Sequence, residues 1–375
     1  MSALVVAALA LVIYTYAGYP VIAALLARAR PLPLPTPSRP PAFEPTVSVC
    51  LSIHNGAAFI ESKLESLLAL DYPAEKLEFL IFSDGSTDDT NQLVAAYARR
   101  DPRVRLLTSE LRQGKPTALN QLCAAARGEV LLMTDVRQPL SRGAARALVE
   151  VLADPEVGCV SGNLELQGEA ASGAYWRYEK FIRASEARLG SMVGVSGSIY
   201  AIRKADFPEL APDVIIDDMW VPLRCSLRRK RVVFCERAVA YDVAFDDDKE
   251  FTRKVRTLAG NYQLLARMPE LMWPFAGHGW FQMLSHKVLR LLCPWALLVL
   301  LAASWVGGFA LPPSSPSEQL VLQSLAVGQL AFYLVAFAGP VAGRFGRLAR
   351  TFVVLNAAAL VGLWRFARGE QQVTW

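Results

Sequence analysis

The sequence predicts a mixed α/β domain with a mostly parallel β-sheet, flanked on both sides by apolar helices long enough to enter a membrane. Short β-rich runs alternate with helical stretches through the middle of the chain, an order typical of parallel sheets covered by helices on both faces. Both ends carry long stretches without charge. Of the 375 residues, 53% are hydrophobic and 19% are charged, which excludes a wholly soluble or disordered protein.

Residues 1–27 form the predicted N-terminal transmembrane anchor. They contain no Asp, Glu, Lys or Arg, and about 20 apolar residues are enough to cross a bilayer. Arg28 and Arg30 follow the apolar segment, whereas a cleaved signal peptide carries its positive charge in front. We therefore expect an uncleaved anchor that ends on the cytoplasmic side. Residues 28–45 contain seven prolines and are predicted to form an extended linker.

Residues 287–375 are predicted to form a C-terminal membrane region. Two apolar runs, 288–310 and 319–343, are separated by a polar break and predict a membrane hairpin. Lys and Arg precede the first arm and follow the second, so both ends of the hairpin should face the cytoplasm. A third apolar run, 351–364, has only fourteen residues. It is predicted to be helical, and a membrane span or an interfacial helix are both compatible with its length.

The domain between the membrane segments, residues 46–250, alternates predicted strands with predicted helices. Strands are predicted at residues 47–53, 77–82, 104–107, 130–133 and 157–160. Helices are predicted at residues 59–70, 91–98, 118–126 and 144–152. Because ligands of such sheets bind at the carboxyl ends of the strands, polar residues that directly follow a strand are the candidates for a functional site.

Acidic residues occupy these strand-end positions. Asp84 follows the second predicted strand, Asp135 follows the fourth, and Asp217 and Asp218 follow a short apolar run. Adjacent carboxylates repel each other, so one of the last two should have a raised pKa or face a cation. Turn formation and helix capping are structural alternatives for Asp84 and Asp135, as are solvated loop positions for the acidic pair.

Seven short motifs follow one another along residues 46–286. They are SIHN at 52–55, DGSTD at 84–88, GKPTALN at 114–120, TD at 134–135, SGS at 196–198 followed by RK at 203–204, DD at 217–218 and RKVRT at 253–257. Each motif is weakly specific, but in this order they resemble the membrane-embedded family 2 glycosyltransferases, the group of cellulose, chitin, hyaluronan and poly-N-acetylglucosamine synthases. The resemblance implies a GT-A-like domain that binds a nucleotide diphosphate sugar.

The resemblance also implies which residues bind the donor. The nucleotide-sugar-binding positions are Asn55, Asp84, Lys115, Asp135, Arg137 and Arg253. Asp84 is expected to recognise the base, since a carboxylate accepts hydrogen bonds from base N–H groups. Lys115 is expected near the uracil or the phosphates. Asp135 matches the first acid of the family's Asp-x-Asp motif, which holds a divalent cation on the diphosphate.

Catalytic and acceptor-binding roles follow from the later motifs. Asp217 and Asp218 match the family's Glu-Asp pair, whose second acid is the general base that deprotonates the acceptor hydroxyl, with inversion at the anomeric carbon. Arg256 matches the Arg of the family's Gln-x-x-Arg-Trp motif and should stabilise the departing diphosphate. Gly197 and Ser198 could let an acceptor sugar approach the backbone closely, with a tight turn as the structural alternative.

The chain departs from the family pattern at three positions. Arg137 replaces the second acid of the Asp-x-Asp motif, so either other groups complete a Mg²⁺ or Mn²⁺ site at Asp135 or Arg137 supplies part of the positive charge. Thr257 replaces the Trp of the last motif, and Arg253 replaces its Gln. Because that Trp helps to hold a growing polymer in the family, both processive and single transfer stay open. Residues 251–286, which carry this motif, are expected to form interfacial helices.

The expected function is sugar transfer from a nucleotide diphosphate sugar, with UDP as the favoured carrier, to a polysaccharide or lipid-linked acceptor. Transfer of a single sugar to a polyprenyl or other membrane lipid is one alternative, and a non-catalytic membrane scaffold is another. Intact Asp84, Asp135, Asp218 and Arg256 argue against the scaffold.

The predicted location is the inner membrane, in several passes, with the catalytic domain in the cytoplasm. Six cysteines without a CxxC pair are expected to be reduced and buried, as in a cytosolic domain. Expected partners are membrane lipids and a second copy or an export protein. The mild net charge of +5 gives no indication of nucleic-acid binding.

Overall fold

The computed structural model describes residues 2–32, 43–167, 173–243 and 247–373. One seven-stranded sheet runs through its centre, in the spatial order β3-β2-β1-β4-β6-β5-β7. The strands are β1 Val47–Ile53, β2 Leu77–Asp84, β3 Val104–Ser109, β4 Val130–Thr134, β5 Val157–Gln167, β6 Ile199–Arg203 and β7 Arg231–Val243. Neighbouring strands pair in parallel except at β6, which is antiparallel to both β4 and β5. The predicted mostly parallel sheet is confirmed.

Helices cover both faces of the sheet and continue beyond it. They are α1 Ser2–Ile13, α2 Tyr19–Ala29, α3 Ala57–Leu68, α4 Thr90–Arg100, α5 Lys115–Ala125, α6 Ala144–Leu152, α7 Gly173–Leu189, α8 Asp217–Leu227, α9 Asp247–Arg267, α10 Trp280–Gln282, α11 Leu289–Trp305, α12 Pro316–Ala338 and α13 Gly343–Arg368. Helices α3, α4 and α6 pack on one face of the sheet and α5 and α8 on the other, each face with its own apolar core.

The cysteines agree with the expected reduced state. All six are free, and five are buried. The sixth, Cys123, lies on α5 and is half-buried.

Within the residues that the structure describes, three helical stretches are long and apolar enough to cross a membrane, at Ala3–Ala29, Trp280–Ala310 and Pro316–Arg368. The first two pack together through small and aliphatic side chains such as Ala8 and Ala303. The predicted hairpin corresponds to α11 and α12, which approach closely where Gln323 donates from Nε2 to the carbonyl oxygen of Gly308 at 2.9 Å.

The third predicted apolar helix, 351–364, is part of the longer helix α13, which packs against α9. A Cβ at Gly362 would lie 2.9 Å from the backbone nitrogen of Ala259 and 3.1 Å from the carbonyl oxygen of Val255. Only glycine therefore allows this helix contact. The rings of Tyr262 and Phe366 stack with their centroids 6.4 Å apart. Helix α13 thus packs closely against α9, the helix that carries the Arg-x-x-Arg-Thr motif.

Candidate active site

The carboxyl ends of strands β2 and β4 and the start of helix α8 carry the predicted acids. Asp84 is the last residue of β2, and Asp135 follows β4 directly. Asp217 and Asp218 begin helix α8, where the positive end of the helix dipole favours negative charge. Parallel pairing of β1 with both β2 and β4 fixes this register, so the strand-end argument places the first two acids correctly.

Asp84 fixes the loop that leads into α5. Its two carboxylate oxygens accept hydrogen bonds from the backbone amides of Gln113 at 2.7 Å and Gly114 at 2.8 Å. Gly114 has φ +90°, a conformation that glycine adopts without strain, and Lys115 follows as the first residue of the helix. His54 Nδ1 lies 2.8 Å from the carbonyl oxygen of Asp84. A small pocket lined by Asp84, His54 and Lys115 lies at this point.

Asn55 ties the end of β1 to the DGSTD loop. It adopts φ +49°, and its Oδ1 accepts a hydrogen bond from the backbone amide of Thr87 at 2.8 Å. The backbone amide of Asn55 donates to Ser86 Oγ at 3.1 Å. The structure therefore gives Asn55 and Asp84 a role in loop architecture, and their contact with a donor stays a prediction.

Lys115 joins the carboxylates of two separate elements. Its Nζ lies 3.0 Å from Asp135 Oδ1 and 3.4 Å from Asp217 Oδ2. Burial by itself would lower the pKa of Lys115, but the neighbouring carboxylates outweigh it and hold the pKa of this ammonium above its usual value. Lys115 is therefore expected to be positively charged at neutral pH.

Gly197 lies between Asp135 and Asp218. A Cβ at this position would stand 3.5 Å from Asp135 Oδ2 and 3.7 Å from Asp218 Oδ2. Any larger side chain would enter the gap between the two carboxylates. The backbone amide of Val195 donates to the carbonyl oxygen of Asp218 at 2.9 Å, which holds the Gly197 loop against helix α8.

Asp218 has the chemistry of a proton acceptor near neutral pH. Burial, the largest cause, together with the charge of Asp217, raises the pKa of Asp218 to about 6. Lys115 and Arg256 oppose that rise. Arg256 also donates from Nη2 to the carbonyl oxygen of Ile215 at 2.8 Å. A carboxylate with a pKa close to the working pH is well suited to general-base catalysis.

Arg137 forms an ion pair with an acid that the sequence analysis did not single out. Its Nε donates to Asp242 Oδ1 at 2.8 Å, and its Nη2 donates to the carbonyl oxygen of Val243 at 2.5 Å. Asp242 lies on β7 and is buried. This pairing agrees with the alternative in which other groups complete a metal site at Asp135, and contact of Arg137 with a diphosphate stays a prediction.

A cavity of about 330 Å³ extends from the site towards the apolar helices. Asp135 and Ser198 line this cavity, and so do Arg253 and Thr257 of α9. Further parts of the wall come from α7, from the helical segment 283–290, from α13 and from the N-terminal segment; these residues include Tyr175, Trp176, Glu179, His286, Lys287, Arg290, Leu355, Ala359 and Tyr16. Sequence reasoning missed most of this wall because its residues carry no shared motif.

Lys63 is a further residue that the sequence analysis missed. It is fully buried on α3, and its Nζ donates hydrogen bonds to Thr134 Oγ1 and to the carbonyl oxygen of Gln138. The signal was available, because Lys63 interrupts the apolar stripe of α3 between Ile60 and Leu67. A lysine on the buried side of an amphipathic helix needs a specific partner.

The potential metal ligands at the site match the preferences of a hard cation only in part. Among the residues that the structure describes, no three His, Cys, Asp or Glu side chains are grouped as metal ligands. Asp135 provides one carboxylate, of which Oδ1 is bonded to Lys115 and Oδ2 faces Gly197. One carboxylate suffices for Mg²⁺ or Mn²⁺ when substrate phosphates and water supply the other ligands.

Comparison with known proteins gives one family assignment and several relatives. The glycosyl transferase family 2 model matches residues 48–209. A poly-β-1,6-N-acetyl-D-glucosamine synthase from Staphylococcus aureus strain COL is 25% identical over 232 residues, which cover 59% of this chain and 56% of the relative. Glycosyltransferase GlyG from Streptococcus pneumoniae serotype 4 is 25% identical over 130 residues, or 35% of this chain and 42% of the relative. The chain thus spans about half the length of these curated relatives, 56% of the first and 42% of the second.

A solved structure shares the fold over nearly the whole chain. The mannosyltransferase from Pyrobaculum calidifontis, in complex with GDP-Man and Mn²⁺, superimposes with a TM-score of 0.74 at 23% sequence identity, covering 98% of this chain and 99% of that one. The likeness extends from the sheet domain to the apolar helices at both ends. The match to the glycosyl transferase family 2 model covers residues 48–209, and the structural likeness shows the GT-A-like fold to which they belong.

Proposed function

We propose that this chain is an inverting glycosyltransferase that moves a sugar from a nucleotide diphosphate sugar, with UDP as the favoured carrier, to a polysaccharide or lipid-linked acceptor. The observation that carries the proposal is the placement of Asp218, a carboxylate with a pKa of about 6, across Gly197 from the Lys115–Asp135 ion pair. In this proposal, Asp218 is the proton acceptor and Lys115 binds phosphate on the other side of the gap at Gly197.

Each residue of the cluster takes a separate role in this reaction. Asp218 accepts the proton of the acceptor hydroxyl while the oxygen forms a bond to the anomeric carbon, and the bond from that carbon to the diphosphate breaks. Lys115 and Arg256 provide positive charge for the departing diphosphate. Asp135 would hold a divalent cation, which neutralises negative charge on the diphosphate.

The cavity beside the site is the proposed acceptor channel. It begins at Asp135 and Ser198 and includes Thr257 at the position where the family resemblance implies a Trp. Trp176 and Tyr175 of α7 line the same cavity and offer aromatic faces against which a sugar ring can pack. An acceptor that enters by this route would bring its hydroxyl to the edge of the sheet where Asp218 lies.

A single-sugar transfer to a membrane lipid is the second candidate, because the cavity wall includes Leu355 and Ala359 of α13 and Tyr16 of the N-terminal segment. These residues belong to stretches apolar enough to cross a membrane. The two candidates differ in product. A labelled sugar recovered in an organic extract favours the lipid, and a labelled sugar in a water-soluble polymer favours the polysaccharide.

The proposed function is tested with the purified full-length protein and a panel of UDP- and GDP-linked sugars. We expect acceptor-dependent release of nucleoside diphosphate from at least one donor, and opposite anomeric configurations in donor and product. The rate should rise as the pH rises through about 6, because Asp218 must lose its proton to act as a base. A protein that releases no nucleoside diphosphate from any donor, with either class of acceptor, would contradict the proposal.

The proposed topology places the catalytic domain and the segment around Arg344 in the cytoplasm and the loop between α11 and α12 outside. A cysteine at Ser315 in that loop should react with a membrane-impermeant maleimide in intact cells. A cysteine at the exposed Gly143 of the catalytic domain should react only after the membrane is opened. The reverse labelling pattern would reject this orientation.

A further inference from the structure

The amino group of Lys63 lies in the interior of the domain, next to the segment that contains Asp135 of the proposed donor site. The side chain is fully buried on the face of α3 that also carries Ile60, Leu64 and Leu67, all in the core. Removing an ammonium from water is costly unless it gains hydrogen bonds or a compensating charge. Its partners therefore indicate what the burial achieves.

Both acceptors of Lys63 belong to the segment that contains Asp135. The Nζ donates to Thr134 Oγ1 at 2.6 Å and to the carbonyl oxygen of Gln138 at 2.5 Å. Thr134 immediately precedes Asp135, and Gln138 lies three residues after it. One side chain thus fixes the chain on both sides of the carboxylate that faces the donor.

The same contact reaches the acceptor side of the site. Thr134 Oγ1 accepts from Lys63 and donates its own proton to the carbonyl oxygen of Ser198 at 2.7 Å. Ser198 follows Gly197, which separates Asp135 from Asp218. A chain of two hydrogen bonds therefore sets the distance between the Asp135 segment and the loop that faces Asp218.

A second anchor lies on the opposite side of the segment. Gln138 donates from Nε2 to Asp242 Oδ2 at 2.7 Å, and Arg137 binds the other oxygen of that carboxylate. The side chains of Arg137 and Gln138 therefore bind β7, while the backbone and hydroxyl groups of the segment bind Lys63. With both anchors present, Asp135 is held on a short rigid turn.

We propose that Lys63 is a positioning residue of the transfer reaction, which holds residues 134–138 and the Gly197–Ser198 loop at the separation that donor and acceptor require. This inference rests on the proposed function. Lys63 acts through Thr134 and Gln138 and does not itself contact substrate. The negative charge of Asp135 offsets part of the cost of burying the ammonium.

The test compares Lys63→Met with Lys76→Met in the full-length protein. Methionine keeps an unbranched apolar side chain and removes the hydrogen-bond donor. Lys76 is a partly exposed lysine that directly precedes β2, at the opposite end of the strand from Asp84. For Lys63→Met we expect kcat to fall by about ten- to a hundredfold, because a misplacement near 1 Å has effects of that size. Binding of UDP or GDP with Mn²⁺, measured by calorimetry, should weaken as well. Lys76→Met should retain wild-type values.

Two substitutions of Thr134 separate positioning from a general loss of stability. Thr134→Ser keeps the hydroxyl that links Lys63 to Ser198, so its kcat should stay within about twofold of wild type. Thr134→Val keeps the shape and removes the hydroxyl, and it should reproduce most of the loss seen in Lys63→Met. The double variant should lose less than the product of the two single losses, because both remove one connection.

The outcomes are distinct. If wild type is active and Lys63→Met is folded with the kcat of Lys76→Met, Lys63 has no positioning role. If Lys63→Met does not fold, the Thr134 pair decides, and equal kcat values for Thr134→Ser and Thr134→Val reject the inference. If wild type transfers no sugar from any donor, the proposed function fails, and the role of Lys63 in transfer fails with it.

Discussion

Replacement of Asp218 by Asn is expected to lower turnover by about 10² to 10⁴, the usual contribution of a general base. The amide has the shape of the carboxylate but cannot take the proton of an acceptor hydroxyl. Binding of the nucleoside diphosphate should survive, because Lys115 and Asp135 stay in place. Initial rates at saturating donor, together with calorimetry of the nucleoside diphosphate, provide the measurement.

Asp213→Asn is the matched control. Asp213 lies a few residues before α8 and forms an exposed ion pair with Arg267, away from Lys115. Its loss should leave kcat unchanged, since exposed ion pairs contribute little to stability. Turnover of Asp218→Asn equal to that of Asp213→Asn would remove Asp218 from the mechanism.

The raised pKa of Asp218 also gives the substitution an effect on stability. A carboxyl group with a higher pKa in the folded state than in the unfolded state binds its proton more tightly when folded, so the free energy of unfolding falls as the pH rises from about 4 to about 6. Asn at this position has no charge to bury. Asp218→Asn should therefore melt at a higher temperature than wild type at pH 7, and the difference should shrink at pH 4. A carboxylate that is needed for function but held in an unfavourable environment lowers stability. Its replacement therefore raises stability and removes activity.

Most of the sheet could be predicted from sequence because five of its strands are short β-rich runs. The buried run at 47–53 is β1, and the apolar periodicity at 144–152 is α6 with the same bounds. Strands β6 and β7 lie outside the five predicted runs, and β6 runs antiparallel between β4 and β5. Its place is decided by its neighbours and not by its own pattern.

The candidate site likewise has one part that the sequence predicts and another that it does not. Strand-end reasoning located Asp84 and Asp135, because parallel strands deliver their carboxyl ends to one edge. The pairing of Arg137 with Asp242 joins residues about a hundred positions apart, and the cavity joins α7 to α13. Such contacts depend on how distant segments pack against each other in the folded chain, so no short sequence motif predicts them.

Lys115→Met is the second substitution with a large expected effect, because it removes the cation that three carboxylates share. Asp135 and Asp217 lose their ion-pair partner, and breaking a buried pair costs about 3 kcal/mol of the free energy of unfolding at the lower end of the usual range. We place the cost at that end because the Asp135 side chain is 26% exposed. Thermal or chemical unfolding of the full-length protein measures it.

The same substitution should move the pH dependence of any activity that remains. Lys115 lowers the pKa of Asp218, so without it the carboxyl group should keep its proton to higher pH and the acidic limb of the rate profile should shift upwards. Lys115→Arg retains the charge and should leave that limb near its wild-type position, even if the bulkier guanidinium weakens donor binding. An unchanged limb in Lys115→Met would mean that the ammonium does not control the charge of Asp218. A shifted limb in Lys115→Met, restored in Lys115→Arg, would establish that one buried cation both organises the carboxylates and keeps the proposed base ionised at neutral pH.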